Sequence, residues 1–432
     1  MSGLLIAAPS SGAGKTTITL ALLAALKQRG VKLASAKAGP DYIDPAFHAA
    51  ASGQPCVNLD PWAMRPDLLQ ALAADASETA DVFVVEAMMG LFDGAADGTG
   101  SAADLANHLG LKTVLVVDCA KQSHSVAALV SGFANFRSST RIAGLILNRV
   151  GSPRHDALLR EALAPLDIPV LACIPREPEL VLPERHLGLV QAGEHGNLPA
   201  FLQRAAEIFI ENADLDALID LARPPKIRPT IEPARLPPLG QHMAIARDEA
   251  FAFIYPHLVV GWRKAGAELS FFSPLADEAP DETADAVYLP GGYPELHAGK
   301  LASASRFKAG TTAAAERGAI VYGECGGYMT LGSGLVDAAG TRHEMLGILP
   351  LATSFETRKL HLGYRRVTPF GSSPFSAPMT AHEFHYATIL EQGGGPALFD
   401  AQDARNEVLG GHGQITGNVF GSFLHLIDLA TS

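Results

Sequence analysis

With 432 residues, 48% of them hydrophobic and 18% charged, the chain has material for two or three buried cores and a composition unlike that of disordered or fibrous proteins. A formal net charge of −12 without a run of basic residues argues against nucleic acid or an anionic membrane as partner. The first apolar stretch is too short for a secretory signal, no later run could span a bilayer, and the four cysteines lack paired or metal-finger spacing, so a reduced, cytoplasmic enzyme is expected.

The chain opens with an apolar run, Leu4–Ala8, predicted as a buried strand. Pro9-Ser10-Ser11-Gly12-Ala13-Gly14-Lys15-Thr16-Thr17 follows, and then a helical pattern from Ile18 to Leu23. Strand, glycine turn and helix in that order are the context of a phosphate-binding loop. Gly12 and Gly14 let backbone N–H groups close around an anion, and the helix start at Thr16 and Thr17 adds partial positive charge. Lys15 is placed to reach terminal phosphates and the Thr16 hydroxyl to ligate Mg²⁺. The usual pattern begins with glycine, whereas Pro9 stands there in this chain. ATP is the expected ligand.

A bound metal needs further oxygen donors. Lys37-Ala38-Gly39-Pro40-Asp41-Tyr42-Ile43-Asp44-Pro45 supplies two carboxylates in a turn, and Glu86 ends the apolar strand Val82–Val85 before Ala87–Gly94. Strand ends of an open α/β sheet are where ligands bind. Thr16, Asp41 and Glu86 are therefore assigned to Mg²⁺, and Asp44 and Asp93 to substrate positioning or proton handling. Asp41 and Asp44 also suit capping of a turn and a helix. Asp118 is a second acid on the metal side, and Asn148 is placed to read a base edge. Both also suit plain strand-end hydrogen bonding.

Further apolar runs at 114–117, 142–147 and 170–174 alternate with helical patterns at 123–136 and 157–163, and 198–221 reads as a closing helix. This is an α/β unit with a mostly parallel sheet covered on both faces. Between Ala222 and Gly240 stand six prolines, at 224, 225, 229, 233, 237 and 238, which read as an extended connector. The expected division is thus 1–221, a linker 222–240, and a second α/β unit 241–432.

In that second unit, Val321-Tyr322-Gly323-Glu324-Cys325-Gly326-Gly327 is a strand running into a glycine turn that carries a thiol. It has the form of a nucleophile elbow, with a helix start expected to lower the thiol pKa. The N–H groups around Gly291, Gly292 and Gly326 suit an oxyanion hole. His425 is the best candidate base, with His385 as competitor. Cys56, Cys119 and Cys173 read as inert core. A metal site at His382 and His385 is rejected because no third ligand is apparent.

The phosphate loop, Gly39–Pro45, Glu86–Gly94, Leu289–Glu295, Gly323–Met329 and His382–Tyr386 together resemble the cobyrinic/hydrogenobyrinic acid a,c-diamide synthases, on the side of the cobalt-free branch. The resemblance implies a dethiobiotin-synthetase-like ATP domain fused to a class I glutamine amidotransferase domain. It implies that ATP phosphorylates the c and then the a acetate of a corrinoid, hydrogenobyrinic acid or its cobalt-containing counterpart. Ammonia from glutamine, released at Cys325 and passed internally, then displaces the phosphate. Asp41, Asp44, Glu86 and Asp93 match acidic positions tied to that reaction, Tyr42 matches a position beside the substrate side chains, and a homodimer is implied. Many class I glutaminases carry Glu two residues after the histidine, where this chain has Ile427, with Asp428 one further on. Other readings are a cobyric acid synthase, an ATPase switch, or a corrinoid carrier with a decayed glutaminase.

Overall fold

Strands buried on both faces of a parallel sheet need near-continuous Val, Ile and Leu, and the first half of the sequence provides them. A computed structural model describes residues 3–180, 182, 184–185, 188–189, 191–194, 196–222 and 232–430. The chain divides into two compact units, one over Met1–Trp62, Pro66–Gly94 and Gly98–Pro233, the other over Ala63–Arg65, Ala95–Asp97 and Ala234–Ser432. Pro224, Pro225 and Pro229 of the expected linker lie outside the described residues, while 232–238 have no regular secondary structure.

The first unit holds a seven-stranded, all-parallel sheet. Its strands are β1 (Leu4–Ala7), β2 (Leu33–Ala38), β3 (Cys56–Leu59), β4 (Val82–Glu86), β5 (Lys112–Asp118), β6 (Ile142–Val150) and β7 (Val170–Pro175). They lie in the order β3-β2-β4-β1-β5-β6-β7. Leu4–Ile6, Val82–Val85 and Val114–Val117 are fully buried. The loop after β1 therefore sits mid-sheet, at the carboxyl edge where β2, β4, β5 and β6 also end. Helix α1 (Lys15–Gln28) starts in that loop, and α2 (Asp44–Ser52) follows the acidic turn after β2.

The expected closing helix over 198–221 is two helices, Leu198–Asn212 and Leu215–Leu221. Asp214 between them accepts the Ala217 N–H at 3.0 Å, so a capping residue starts a new helix where apolar patterning alone suggested one.

The second unit is built on six strands in the order 268–272, 242–246, 286–289, 320–324, 419–422, 414–416, of which only the last is antiparallel. An antiparallel five-stranded sheet (408–412, 399–403, 361–369, 379–385, 424–429) and a four-stranded one (342–344, 334–336, 351–354, 388–392) complete it. Neither was read from the sequence, because many of their strand residues are half-exposed and polar and lack an apolar run.

The helix Ala102–Leu109 carries a reciprocal cap. Ser101 Oγ accepts the Asp104 N–H at 3.2 Å, and the Asp104 carboxylate accepts the Ser101 N–H at 2.9 Å. Ser101→Ala should lower the stability of the first unit by about 1 kcal/mol, and Ser101→Gly by only a few tenths. Urea unfolding of both variants checks this; parent-like stability of Ser101→Ala would mean that the cap contributes nothing.

Candidate active site

At the carboxyl edge of the first sheet, the phosphate loop turns on Gly12 and Gly14, with φ of +80° and +89°. A Cβ at Gly14 would lie 2.3 Å from Asn148 Nδ2, so a side chain is excluded by both conformation and space. Asn148 uses that amide to donate to the Ala13 carbonyl at 2.9 Å and its Oδ1 to accept the Arg149 N–H. Its amide thus braces the loop. Asp118 pairs with Arg149 at 2.7 Å, and Arg149 also donates to the Gly12 carbonyl.

Behind the loop lies a closed polar network. Glu86 is fully buried at the end of β4. Its Oε1 accepts from Thr16 Oγ1 at 2.6 Å and from Lys37 Nζ at 2.8 Å, and its Oε2 faces His48 Nε2 at 2.7 Å. Lys37 Nζ also donates to Asp44 Oδ2 at 2.5 Å and lies 3.9 Å from Asp41 Oδ2. Thr16 Oγ1 is 3.4 Å from Asp44 Oδ2. Burial opposes charge on Glu86, Lys37, His48 and Asp44, and pairing outweighs it at the first three but not at Asp44. Burial alone would raise Glu86, but Lys37 and His48 hold it well below the usual carboxylate range. Burial and the neighbouring Asp41 raise Asp44 to about 7 against the pull of Lys37. Burial lowers Lys15 against the opposing pull of Glu86.

Thr16, Asp41, Asp44 and Glu86 are thus gathered, as the sequence suggested. Asp41 also caps the turn, its Oδ1 accepting the Ile43 and Asp44 N–H groups at 2.9 and 3.0 Å. Tyr42 is half-buried in the same turn. Asp93 is exposed and its Oδ2 accepts the Gly90 N–H at 2.9 Å. Sequence reasoning missed Lys37 and His48. Lys37 sits in Leu33-Ala34-Ser35-Ala36-Lys37-Ala38, all of it buried, and a lysine buried mid-strand requires acidic partners. That was the available signal.

In the second unit Cys325 has φ +45° and ψ −102°, a strained conformation for a residue with a side chain. It joins the strand 320–324 to the helix Gly326–Leu331. A Cβ at Gly291 would meet His425 Cε1 at 2.3 Å, His425 Nε2 at 3.2 Å and Cys325 Cβ at 3.3 Å. Gly291 therefore faces both the Cys325 and His425 side chains, and Gly326 packs against the Gly292 N–H. Burial pushes the Cys325 thiol up, aided by Glu295, contrary to the lowering expected from the helix start; desolvation outweighs the Gly326 N–H. Burial, with His382 and His385 nearby, lowers His425 to about 3 and keeps it neutral.

The acid one residue beyond Ile427 is engaged elsewhere. Asp428 accepts from the Arg65 backbone N–H at 2.8 Å and from its guanidinium at 3.0 and 3.1 Å. His385 stacks on Phe423 at 3.9 Å and on His361 at 4.6 Å. Among the described residues, donor atoms of His361, Glu383 and His385 lie within 4.8 Å of one another, a group that takes in His385 but not His382. Two of the three are engaged internally: Glu383 Oε2 is held by Arg365 at 2.6 Å, its Oε1 by His385 Nε2 at 3.2 Å, and His385 Nδ1 faces the Ala387 carbonyl.

Residues 4–190 match the CobQ/CobB/MinD/ParA nucleotide binding domain, and residues 242–431 the CobB/CobQ-like glutamine amidotransferase domain. The hydrogenobyrinate a,c-diamide synthases of Brucella abortus and Rhizobium meliloti are each 61% identical to this chain. The alignments cover all of this chain and 99% and 100% of those proteins. The enzyme of that name from Mesorhizobium japonicum is 50% identical over 99% of both chains. No helix among the described residues is long and apolar enough to cross a membrane. The chain belongs to the hydrogenobyrinate a,c-diamide synthase family and is a glutamine-dependent amide ligase of cobalamin biosynthesis.

Proposed function

We propose that the chain converts hydrogenobyrinic acid to its a,c-diamide, using two ATP and two glutamine, through acyl phosphates made in the first unit and ammonia made in the second. The observation that carries this is the oxygen cluster of Thr16, Asp44 and Glu86 beside Lys15, at the mouth of a glycine loop built for phosphates. A carboxylate is a poor electrophile. Attack of its oxygen on the γ-phosphorus of ATP expels ADP and leaves an acyl phosphate, which ammonia converts to an amide with loss of inorganic phosphate.

Lys15 and the loop N–H groups hold the phosphates in line. The hard oxygen donors of Thr16, Asp41 and Glu86 suit Mg²⁺, which when bound neutralises charge on the transferring phosphoryl. Lys37 keeps the acidic residues together before substrates arrive. Asp44 and Asp93 orient the corrinoid carboxylate, with Tyr42 beside it. Asn148, besides bracing the loop, flanks the nucleotide base.

In the second unit, Cys325 gives its proton to His425 and attacks the glutamine amide carbon. N–H groups at Gly291, Gly292 and Gly326 stabilise the oxyanion, ammonia leaves, and water hydrolyses the thioester to glutamate. The same reading includes the division at 222–240, cytoplasmic location and a homodimer, which light scattering tests.

Incubation with glutamine and Mg-ATP, with hydrogenobyrinic and cobyrinic acids offered in parallel, checks the substrate by mass spectrometry and NMR. The a,c-diamide should form faster from the cobalt-free acid; faster turnover of the cobalt corrinoid moves the chain to the other branch, and amides elsewhere refute the regiochemistry. Cys325→Ala should abolish glutamine-dependent synthesis yet retain synthesis from ammonium salts. Loss of both in a folded variant would show that the glutaminase is not separable. Lys15→Ala should lower synthesis from either nitrogen source by at least about 10²-fold, and near-normal ammonia-driven turnover would remove Lys15 from the phosphate site.

A further inference from the structure

His425 needs a group that orients its ring and supports the imidazolium formed when it takes the thiol proton. The two positions downstream of it do not provide one. Ile427 is apolar and its carbonyl accepts from His257 Nε2 at 2.9 Å, while the Asp428 carboxylate is committed to Arg65.

Glu324 immediately precedes the nucleophile and is 3% exposed. Three bonds fix its carboxylate. Tyr288 Oη donates to Oε2 at 2.7 Å, Tyr322 Oη to Oε1 at 3.1 Å, and the Leu426 N–H to Oε1 at 3.2 Å. The last bond ties it to the residue next to His425. Oε2 stands 3.8 Å from His425 Nδ1, on the ring edge away from the Nε2 that faces Gly291. Trp262 packs edge-on against Tyr288 at 5.7 Å, and Tyr322 stacks on Tyr288 at 5.7 Å, so the carboxylate has little room to move.

We propose that Glu324 is the positioning residue of the glutaminase, orienting His425 through Nδ1 and stabilising its imidazolium from the strand that delivers the nucleophile. This rests on the reading of Cys325 and His425 as the glutaminase pair. The proton passes from Cys325 Sγ to His425 Nε2 and later to the departing ammonia; Glu324 carries charge throughout and takes up no proton in the cycle.

Only ionised Glu324 can perform this role. Burial raises its carboxyl to about 7, against the lowering bonds from Tyr288, Leu426 and Tyr322. Support for the imidazolium is therefore present above that pH and fades as the pH falls through it. The other titratable groups around the pair are Tyr288 and Tyr322 beside Glu324, His382, His385 and Glu383 beside His425, and Glu295 and Glu383 beside Cys325.

Glutaminase turnover of the full chain, followed from pH 5.5 to 9 with ammonium-driven synthesis as the measure of folding, tests the role. Glu324→Gln keeps the shape and removes the charge. It should lower glutaminase kcat by about 10²-fold with KM nearly unchanged, and should abolish the rise in kcat through neutral pH. Synthesis from ammonium salts should stay at the parent level. Glu324→Asp, which keeps the charge, should recover part of kcat, and it stands in if the glutamine variant does not fold. Parent-like kcat and pH profile in Glu324→Gln overturn the proposal, whereas glutaminase activity surviving Cys325→Ala overturns the underlying pair.

Discussion

The ion pair between Glu86 and Lys37 is the interaction that holds the acidic cluster at the carboxyl edge of the first sheet together. A carboxylate with no exposure at the end of an apolar strand is costly unless paired and hydrogen-bonded on both oxygens. Lys37 and Thr16 satisfy one oxygen and His48 the other. Because Lys37 also holds Asp44, one ammonium fixes the end of β4 relative to the turn after β2, and through Thr16 relative to the start of α1. Three segments far apart in sequence thereby share one polar cluster at the carboxyl edge of the sheet, the edge to which the proposed function assigns the nucleotide.

The glutaminase unit meets a different constraint. Its thiol and imidazole are both buried, which favours neutral forms of each and opposes a resting thiolate–imidazolium pair. On the proposed roles of Cys325 and His425, the thiolate would form in the act of proton transfer, so a group that stabilises the imidazolium would speed it. A strained φ of +45° holds the sulfur at the turn, paid for by the hydrogen bonds of Cys325 N–H to Ser422 and Met329 N–H to the Cys325 carbonyl.

Much of this was legible in the sequence where local chemistry dictates geometry. Gly12 and Gly14 announced a tight turn, which the structure makes with left-handed backbone, and the apolar runs of β1, β4 and β5 announced a parallel sheet. Glu86 could be picked out because a charge at the end of Val-Phe-Val-Val is conspicuous. The remainder depends on pairing between distant segments. Lys37 is one lysine among small residues until Glu86 and Asp44 close on it, and Glu324 borders Cys325 with no sign that Tyr288, Tyr322 and Leu426 hold it. The His361 contribution to the histidine cluster arises from antiparallel register, His361 opposite His385, which no local pattern encodes. The rise in the Cys325 thiol pKa is not legible in the sequence, because depth of burial is a tertiary property.

The central claim is that ATP activates the corrinoid carboxylate itself. The most direct measurement uses hydrogenobyrinic acid labelled with ¹⁸O in its carboxylates, turned over with glutamine and Mg-ATP, with phosphate analysed by mass spectrometry. An acyl phosphate predicts one ¹⁸O atom in inorganic phosphate for each amide formed. Unlabelled phosphate alongside normal diamide formation would contradict the account, because the carboxylate oxygen would then have left by a route that never joined it to the γ-phosphorus.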